Sequence, residues 1–544
     1  MTPVHQLGVA DILILVGGFW VVVKLAGRLT ARKTTSHGTK LNGPPSDSYI
    51  FGVSRRMAES SDVSLFFQEW TSQFGTVFRI PTAFGGHKTI LCDPKAINHF
   101  YSLERTVYVK SQLGRAIISS LFGRGLLWAE GEGHKRQRKA LTPAFSNAAI
   151  RRLTSVFYDS TYKLKARWDT IIDNIGDGAI IDVEHWMNLV ALDSIGIAGF
   201  SHDFRTLDGE YSSVAAAFES LSFEGQSLLS ILIETASSQK LRREMRIIAT
   251  DLLEKTRREM NNQAVSEETA LDKSVIGLLL KAEQEDAELH MNQTEVMAQM
   301  VPLILHLHHD LHLTRINPRI LCWLRAMKPH QVPSLTWALI ELAKQPDKQT
   351  KLREELVKFG PVDPTWDELV SGLPYLDSVV LEILRLHPPV TETTREAMVD
   401  DVLPLAQPVT TALGTVVDRV VIPKGSIVTV PIRSIHRSEA FWGQNAKDFA
   451  PERWLTLGAD PIRAKEIQGH RHLLTFLEGP RTCLGKSFAL AEFKAVLSVL
   501  IKNFTFEFPD GPETEIARHR GLVPRPKVVG QLGAQVPMRV RRAE

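Results

Sequence analysis

Cysteine is scarce in this chain, and the compositional extremes that mark special classes of protein are missing. Three cysteines, Cys92, Cys322 and Cys483, occur among 544 residues, which excludes a disulfide-stapled scaffold. The 35 glycines and 28 prolines are near average usage and exclude collagen-like or disordered chains. Neither charge dominates, because 64 lysines and arginines oppose 61 aspartates and glutamates. We expect a large, cored protein of a reducing compartment that does not bind nucleic acid.

Internal repeats, low-complexity segments and long linkers are also missing, so residues 51–544 are expected to form one continuous domain. Helical periodicity dominates and predicts helices over residues 148–168, 183–198, 239–262, 336–343, 349–358, 376–386 and 486–502. A hairpin is predicted around Gly85-Gly86, and short strands are predicted near residues 420–422, 427–430 and 504–508. The predicted fold class is mainly α with small β-sheets.

The first fifty residues differ from the rest. Residues 7–27 form an apolar run about long enough to cross a bilayer, and basic residues follow it. The positive-inside rule therefore predicts a single-pass anchor within residues 1–30, with the bulk of the chain in the cytosol. Residues 31–50, which contain Gly43-Pro44-Pro45, are predicted to form a basic and proline-stiffened hinge. A cleaved signal peptide is the alternative, but no small-residue cleavage site follows the run.

The chemistry is concentrated near the C-terminus, where residues 476–485 read FLEGPRTCLG. A thiolate is a strong metal ligand, and Cys483 stands directly before a predicted helix, whose N-terminus favours negative charge. Gly479 and Gly485 are expected to let the backbone turn tightly around the sulfur. Arg481 is placed to reach an anionic cofactor edge. The alternative is a buried, inert structural cysteine.

The spacing F-x-x-G-x-R-x-C-x-G resembles the haem-binding loop of the cytochrome P-450 superfamily. The resemblance implies a haem b cofactor, with Cys483 as the axial ligand of its iron. Phe476, Arg481 and Gly485 fall on the other cofactor-binding positions of that loop. It also implies the P-450 fold, preceded here by the N-terminal transmembrane helix.

A second set of residues resembles the same family in the right order. Glu382 and Arg385 match its E-x-x-R helix, and residues 449–454, FAPERW, resemble its P-E-R-F segment with Arg453 as the arginine. In the family these three residues lock the core beneath the haem. E-x-x-R alone is not specific, because Glu254 and Arg257 also fit it; the P-E-R-W segment at the expected distance makes the set specific.

Further upstream, residues 133–138 resemble the family's W-x-x-x-R helix, with His134 in place of tryptophan and Arg138 as the arginine. Residues four apart share one helix face, so both donors are placed to meet a haem propionate. Arg395 matches another propionate-binding arginine of the family. The alternative for His134 and Arg138 is a solvated basic helix face. The resemblance extends from the anchor to about Val540, with one gap, and is closest to fungal microsomal members.

The gap falls where the family carries [AG]-G-x-[DE]-T-[TS] on a long helix that lines the oxygen pocket. An acid and an alcohol of that motif relay protons there, so the catalytic residues of this chain stay unassigned. Residues 301–333 instead contain four prolines, each costing about 3 kcal/mol or more inside a helix. Four histidines at 306, 308, 309 and 312 suggest a metal site, but no second ligand cluster accompanies them.

A translated intron is the interpretation we favour for residues 301–333. Residues 324–331 can be encoded so that a reading frame shifted by two bases gives Ala-Gly-Tyr-Glu-Thr-Thr-Ser, which is the missing motif. Every valine codon begins with GT, so Val301 is a candidate intron start. After residue 333 the family pattern resumes with SLTWAL.

The resemblance implies a haem-thiolate monooxygenase that hydroxylates a lipophilic small molecule with O₂, in fungal secondary metabolism or xenobiotic oxidation. The resemblance implies electrons from NADPH through a membrane-bound reductase, and an endoplasmic reticulum membrane with a cytosolic catalytic domain. The apolar stretch 223–233 agrees with a lipophilic substrate. Two alternatives stay open: a haem-binding protein that the insert has impaired, and an apolar-ligand binding protein without haem.

Overall fold

The computed structural model of the chain describes residues 38–60, 62–176, 178–209, 247, 249–258, 274–284, 287–305, 332–456, 463–519 and 525–543. The predicted anchor at 7–27, the apolar stretch at 223–233 and residues 306–331 of the predicted insert lie outside the described residues. Within the described ranges, no helix is long and apolar enough to cross a membrane.

Sixteen labelled helices run in chain order: α1 (Ser54–Glu59), α2 (Val63–Phe74), α3 (Pro94–Ser102), α4 (Gln112–Phe122), α5 (Gly131–Leu141), α6 (Asn147–Ile175), α7 (Val183–Phe200), α8 (Val275–Glu283), α9 (Gln293–Leu305), α10 (Val332–Lys344), α11 (Pro346–Lys358), α12 (Trp366–Ser371), α13 (Pro374–Leu386), α14 (Ile432–His436), α15 (Glu439–Trp442) and α16 (Lys486–Asn503). Residues 249–258 are helical as well. Short 3-10 helices occupy Ala83–Gly85, Thr142–Phe145, Pro451–Trp454, Arg463–Glu466 and Gly479–Arg481.

The strands are short and are named in chain order: β1 (Val77–Pro81), β2 (His87–Leu91), β3 (Tyr108–Val109), β4 (Ala179–Asp182), β5 (Thr393–Ala397), β6 (Asp401–Thr410), β7 (Val416–Ile422), β8 (Ile427–Val430), β9 (Phe504–Glu507), β10 (Ile516–His519), β11 (Arg525–Val528) and β12 (Pro537–Arg542). The predicted class, mainly α with small sheets, is confirmed. Every predicted helix that lies wholly within the described residues is confirmed, with ends that coincide with the prediction or extend beyond it by up to seven residues. The predicted helix at 239–262 is described only in part.

Two prolines of the insert behave differently from the expectation that they break helices. Pro302 lies inside α9, which continues for three further residues. Pro333 is the second residue of α10, where a helix needs no N–H donor, so its missing hydrogen bond costs nothing. Pro318 and Pro329 lie outside the described residues.

The chain divides into two compact units, at boundaries that no linker marks in the sequence. The smaller unit combines the segment up to Val109 with Thr394–Pro431. Its sheet has the order β1-β2-β8-β5-β3, in which β1 and β2 form the predicted antiparallel hairpin and β8 joins β2 in parallel. The buried apolar cluster of this unit includes Phe67, Trp70 and Phe78, the last of which belongs to β1.

The larger unit combines Lys110–Thr393 with Ile432–Glu544 and contains most of the helices. The long helix α6 packs along α16, and Phe157 meets Phe488 edge to face at 5.0 Å between ring centroids. Trp168, one of its largest fully buried side chains, contacts Phe504 at 5.5 Å. Because α16 begins just after Cys483, this packing fixes the helix that carries the cysteine loop on its N-terminus.

Candidate functional site

Cys483 lies on a tight loop between the 3-10 helix Gly479–Arg481 and α16. Its N–H donates to the carbonyl oxygen of Phe476 at 2.8 Å, which closes the loop. Gly479 has φ of 71°, a left-handed conformation that favours glycine, as the sequence predicts. The same expectation for Gly485 is wrong, because its φ is −83° and any residue adopts that backbone.

Opposing effects act on the Cys483 thiol. Burial raises its pKa, and an N–H bond from Gly485 and the charges of Arg138 and Lys486 offset only part of that rise. Arg138, on α5, is half-buried, and burial lowers the pKa of its guanidinium while the nearby sulfur raises it. Among the described residues, no carboxylate pairs with Arg138. A cation held near the sulfur without a counter-ion is suited to an anionic ligand group.

The other predicted cofactor-binding residues are placed in different surroundings. His134 is buried one helical turn before Arg138, so the two share α5 as predicted. Arg481 forms an ion pair with Glu130 and donates to the carbonyl oxygen of Ala129 at 3.1 Å. Arg395 belongs to the smaller unit, where its Nη2 lies 2.7 Å from a Glu104 carboxylate oxygen.

Glu382, Arg385 and Arg453 form one buried cluster. The Arg385 guanidinium donates two bonds to the Glu382 carboxylate, at 2.9 and 2.8 Å, and Arg453 Nε donates a third at 2.9 Å. Ala450 N–H and Trp454 Nε1–H add two more donors, each at 2.9 Å. Burial acts to raise the pKa of Glu382, but the two arginines and the Ala450 N–H outweigh it and lower that pKa.

Comparisons with known proteins identify the family. The sequence profile of the family described as Cytochrome P450 matches residues 43–305 and 332–531. The chain belongs to the cytochrome P450 family. It is 51% identical to cytochrome P450 monooxygenase claP of Ampulloclitocybe clavipes and 50% identical to claQ of the same fungus, over the whole of each chain. It is also 33% identical to cytochrome P450 monooxygenase 128 of Postia placenta, over 96% of both chains.

Membership in this P450 family makes the chain an oxidoreductase of the monooxygenase class, and the predicted resemblance to fungal members is confirmed. The family implies a haem-iron cofactor. The residues present fit that group, because the sulfur of Cys483, just before α16, lies near Arg138 of α5, which pairs with no carboxylate among the described residues. The family profile is interrupted between residues 305 and 332, which is where α9 ends and α10 begins.

Sequence reasoning missed three residues of this P450 that the structure brings to the site. Glu130 balances the charge of Arg481. Trp454 replaces the family's phenylalanine and adds an N–H donor to the Glu382 cluster. His436 accepts a backbone N–H from the segment before the cysteine. None of these residues is marked by spacing, since their partners are between 38 and 351 positions away.

Replacing Trp454 by phenylalanine tests the extra donor. Phenylalanine retains most of the ring's packing against Trp442, whose centroid is 5.5 Å away, but cannot donate to the Glu382 carboxylate. We expect the free energy of unfolding to fall by about 1.5 kcal/mol, the usual contribution of a hydrogen bond to a charged group. Urea titration measures this value, and a variant as stable as the wild type would show that the bond contributes nothing.

Proposed function

We propose that this P450 hydroxylates a lipophilic small molecule by the reaction RH + O₂ + NADPH + H⁺ → ROH + H₂O + NADP⁺. The observation that carries the proposal is the Cys483 loop, which is closed by its bond to Phe476, has Arg138 beside the sulfur and continues into α16. Cys483 is the proposed axial ligand of haem b. The bound haem supplies oxygen activation, which a thiolate ligand promotes.

Cationic side chains of the chain hold the haem propionates in this proposal. Arg138 needs no exchange of partner, because no described carboxylate pairs with it, and His134 precedes it by one turn of α5. Arg481 would share a propionate with the carboxylate that it already contacts, Glu130, while the propionate role of Arg395, which contacts Glu104, stays a prediction from the resemblance. A guanidinium has five N–H donors in a planar fork, so it can hold two anionic groups at once.

Electrons come from NADPH through a P-450 reductase in this proposal, and the enzyme lies on the endoplasmic reticulum membrane. The family uses redox-partner reductases, O₂ and small substrates. The apolar run 7–27 and its basic flank support a single-pass anchor with a cytosolic catalytic domain. Four basic residues assigned to the neighbourhood of the cysteine loop support a docking site for an acidic reductase face: Arg136, Lys139, Arg471 and Lys486. The first three already have carboxylate partners within the chain, which are Glu295, Glu288 and Asp377.

The substrate class we propose is a terpenoid, steroid, aromatic or fatty compound, oxidised in fungal secondary metabolism or xenobiotic breakdown. The support is the similarity to fungal P450 monooxygenases over the whole chain. Neither alternative, an impaired haem protein nor a haem-free apolar-ligand protein, is favoured by that similarity. A pyridine haemochrome spectrum of the purified protein and NADPH-driven product formation with added reductase test the proposal. A protein without haem, or with haem but no product from any of these classes, would overturn it.

We also propose that residues 301–333 are a translated intron and not part of the working enzyme. The support is the interruption of the family profile at 306–331, inside that segment, together with the motif that appears in the shifted reading frame. The experiment is to sequence the spliced transcript across codons 295–340. A transcript that encodes Ala-Gly-Tyr-Glu-Thr-Thr-Ser before Leu335 is expected, and a transcript that retains the whole segment would contradict the proposal.

Repair of the segment should change how NADPH is used. We expect the chain as given to consume NADPH mainly without product, because the acid–alcohol pair that delivers protons in the oxygen pocket is missing and reduced oxygen escapes as hydrogen peroxide. Replacing 301–333 by a helical segment that ends in Ala-Gly-Tyr-Glu-Thr-Thr-Ser should restore coupling. Product and peroxide formed per NADPH measure the effect. Equal coupling in the two proteins would show that the insert is a true variation of the family.

A further inference from the structure

His436 is completely buried at the end of α14, and both its backbone and its ring are engaged. Its carbonyl oxygen accepts a bond from Arg385 Nη1 at 2.6 Å, and its ring Nε2 accepts the N–H of Leu474 at 2.8 Å. Because a backbone N–H can only donate, Nε2 must carry a lone pair and the ring proton lies on Nδ1. Burial, followed by the charge of Arg385, lowers the pKa of His436 to about 3, so the ring stays neutral.

Leu474 begins the stretch that leads to the cysteine, and three consecutive residues of that stretch are each held by a bond. The histidine ring holds Leu474. Thr475 Oγ1 donates to the carbonyl oxygen of Leu384, on α13, at 2.8 Å. Phe476 accepts the Cys483 N–H. Two of the three bonds therefore connect the cysteine loop to its neighbours. Thr475 bonds directly to α13. Leu474 bonds to His436, whose carbonyl oxygen accepts a bond from Arg385 of α13.

The backbone of the loop needs such support. Leu477, the next residue, has φ of 58°, a left-handed conformation that is unfavourable for a side chain of its size. Strained conformations of this kind persist only where the surrounding structure fixes them. The Glu382–Arg385–Arg453 cluster is the rigid neighbour that can do so, since Glu382 and Arg385 are completely buried and Arg453 is nearly so.

We propose that His436 is a positioning residue that transmits the rigidity of the Glu382 cluster to the cysteine loop and so keeps the Cys483 thiolate in its iron-binding position. The proposal rests on Cys483 being the iron ligand. Loss of the ring acceptor leaves the Leu474 N–H buried without a partner, which favours alternative loop conformations. In those conformations the sulfur no longer meets the iron in the thiolate form.

Two amide variants separate the acceptor from the rest of the ring. His436→Gln places a carbonyl oxygen where Nε2 stands, whereas the shorter side chain of His436→Asn places it about one bond length too far from Leu474. Nothing else on the ring has to be replaced, because Nδ1 has no hydrogen-bond partner among the described residues. Tyr108→Phe is the matched control, since it removes a hydrogen bond to a carboxylate, that of Asp401 in the smaller unit, and leaves the groups of the Glu382 cluster and of the cysteine loop in place.

The experiment follows the reduced, carbon monoxide-bound holoenzyme and measures how fast its thiolate absorption band is replaced by the band of a neutral-thiol ligand. We expect His436→Asn to convert about ten times faster than the wild type, and His436→Gln and Tyr108→Phe to convert at nearly the wild-type rate. Conversion of His436→Asn at the wild-type rate, or equal acceleration by Tyr108→Phe, would overturn the proposal.

The His436→Gln variant keeps the test decisive if His436→Asn does not fold. If the His436→Gln protein has wild-type thermal stability but loses its thiolate band about ten times faster than the wild type, the ring acceptor is not what holds the loop. Failure of the proposed function looks different, because the wild-type protein itself would then show no thiolate band. Amide hydrogen exchange at Leu474 provides the direct readout: slow exchange is expected in the wild type and in the glutamine variant.

Discussion

Replacing Cys483 by alanine should abolish the thiolate absorption band of the ferrous, carbon monoxide-bound enzyme. The physical reason is that Cys483 is the sulfur on the glycine-containing loop at the start of α16, with Arg138 nearby, and alanine offers no ligand atom. We expect complete loss of the band and loss of NADPH-driven product formation. A reduced-minus-oxidised spectrum under carbon monoxide measures the first effect, and product analysis with added reductase measures the second.

Cys92→Ala is the matched control for that experiment. Cys92 is buried in the smaller unit, where Thr71 Oγ1 donates to its sulfur at 3.4 Å. Burial raises the pKa of its thiol to about 12, so it stays protonated and is a poor ligand. The band should therefore be unchanged in Cys92→Ala. A thiolate band that persists in Cys483→Ala would contradict the assignment of the ligand.

Glu382→Ala should be strongly destabilising. The substitution leaves Arg385 and Arg453 as buried cations without their shared counter-ion, because both donate to this one carboxylate. Removing one partner of a buried ion pair typically costs about 3–5 kcal/mol, so we expect little folded protein and poor haem incorporation. Haem content per polypeptide and urea unfolding measure the effect.

The control for this variant is Glu254→Ala, because Glu254 also fits the E-x-x-R pattern. Its side chain is 52% exposed, and its contact is a 3.5 Å ion pair with Arg258, one turn further along the helix. Exposed pairs of this kind contribute about 0–1 kcal/mol, so haem content and stability should be nearly unchanged. Equal haem loss in the two variants would mean that the wrong glutamate was selected from the sequence.

The sequence predicts much of this site because its residues lie on short, rigidly spaced motifs. Phe476, Arg481 and Cys483 lie within one loop, and Glu382 and Arg385 are one helical turn apart. Local spacing therefore carries their relation. The same reasoning identifies the β1–β2 hairpin from two short runs around a glycine turn. Such features depend on the nearest neighbours of each residue along the chain.

What the sequence does not predict depends on contacts between distant segments. His436 meets Leu474, and Glu130 meets Arg481, only because tertiary packing brings separate segments together. Trp454 reads as a conservative replacement of phenylalanine until its N–H is seen to reach Glu382. The expectation that position 485 needs glycine is wrong for a related reason. The φ of this residue depends on how α16 begins, and glycine permits many values of φ without specifying one.

The smaller unit is built from two segments that are far apart in the chain, and this has a consequence for synthesis on the ribosome. The segment that carries β1 and β2 emerges early, but β8, which pairs with β2, belongs to Thr394–Pro431. The intervening residues 110–393 number 284, which takes roughly 15–60 s to translate at about 5–20 residues per second. During that interval the edge of β2 that will meet β8 is unpaired, and an unpaired strand edge is a template for association with other chains. We therefore expect association between nascent chains at this edge to be confined to the time before β8 has been made.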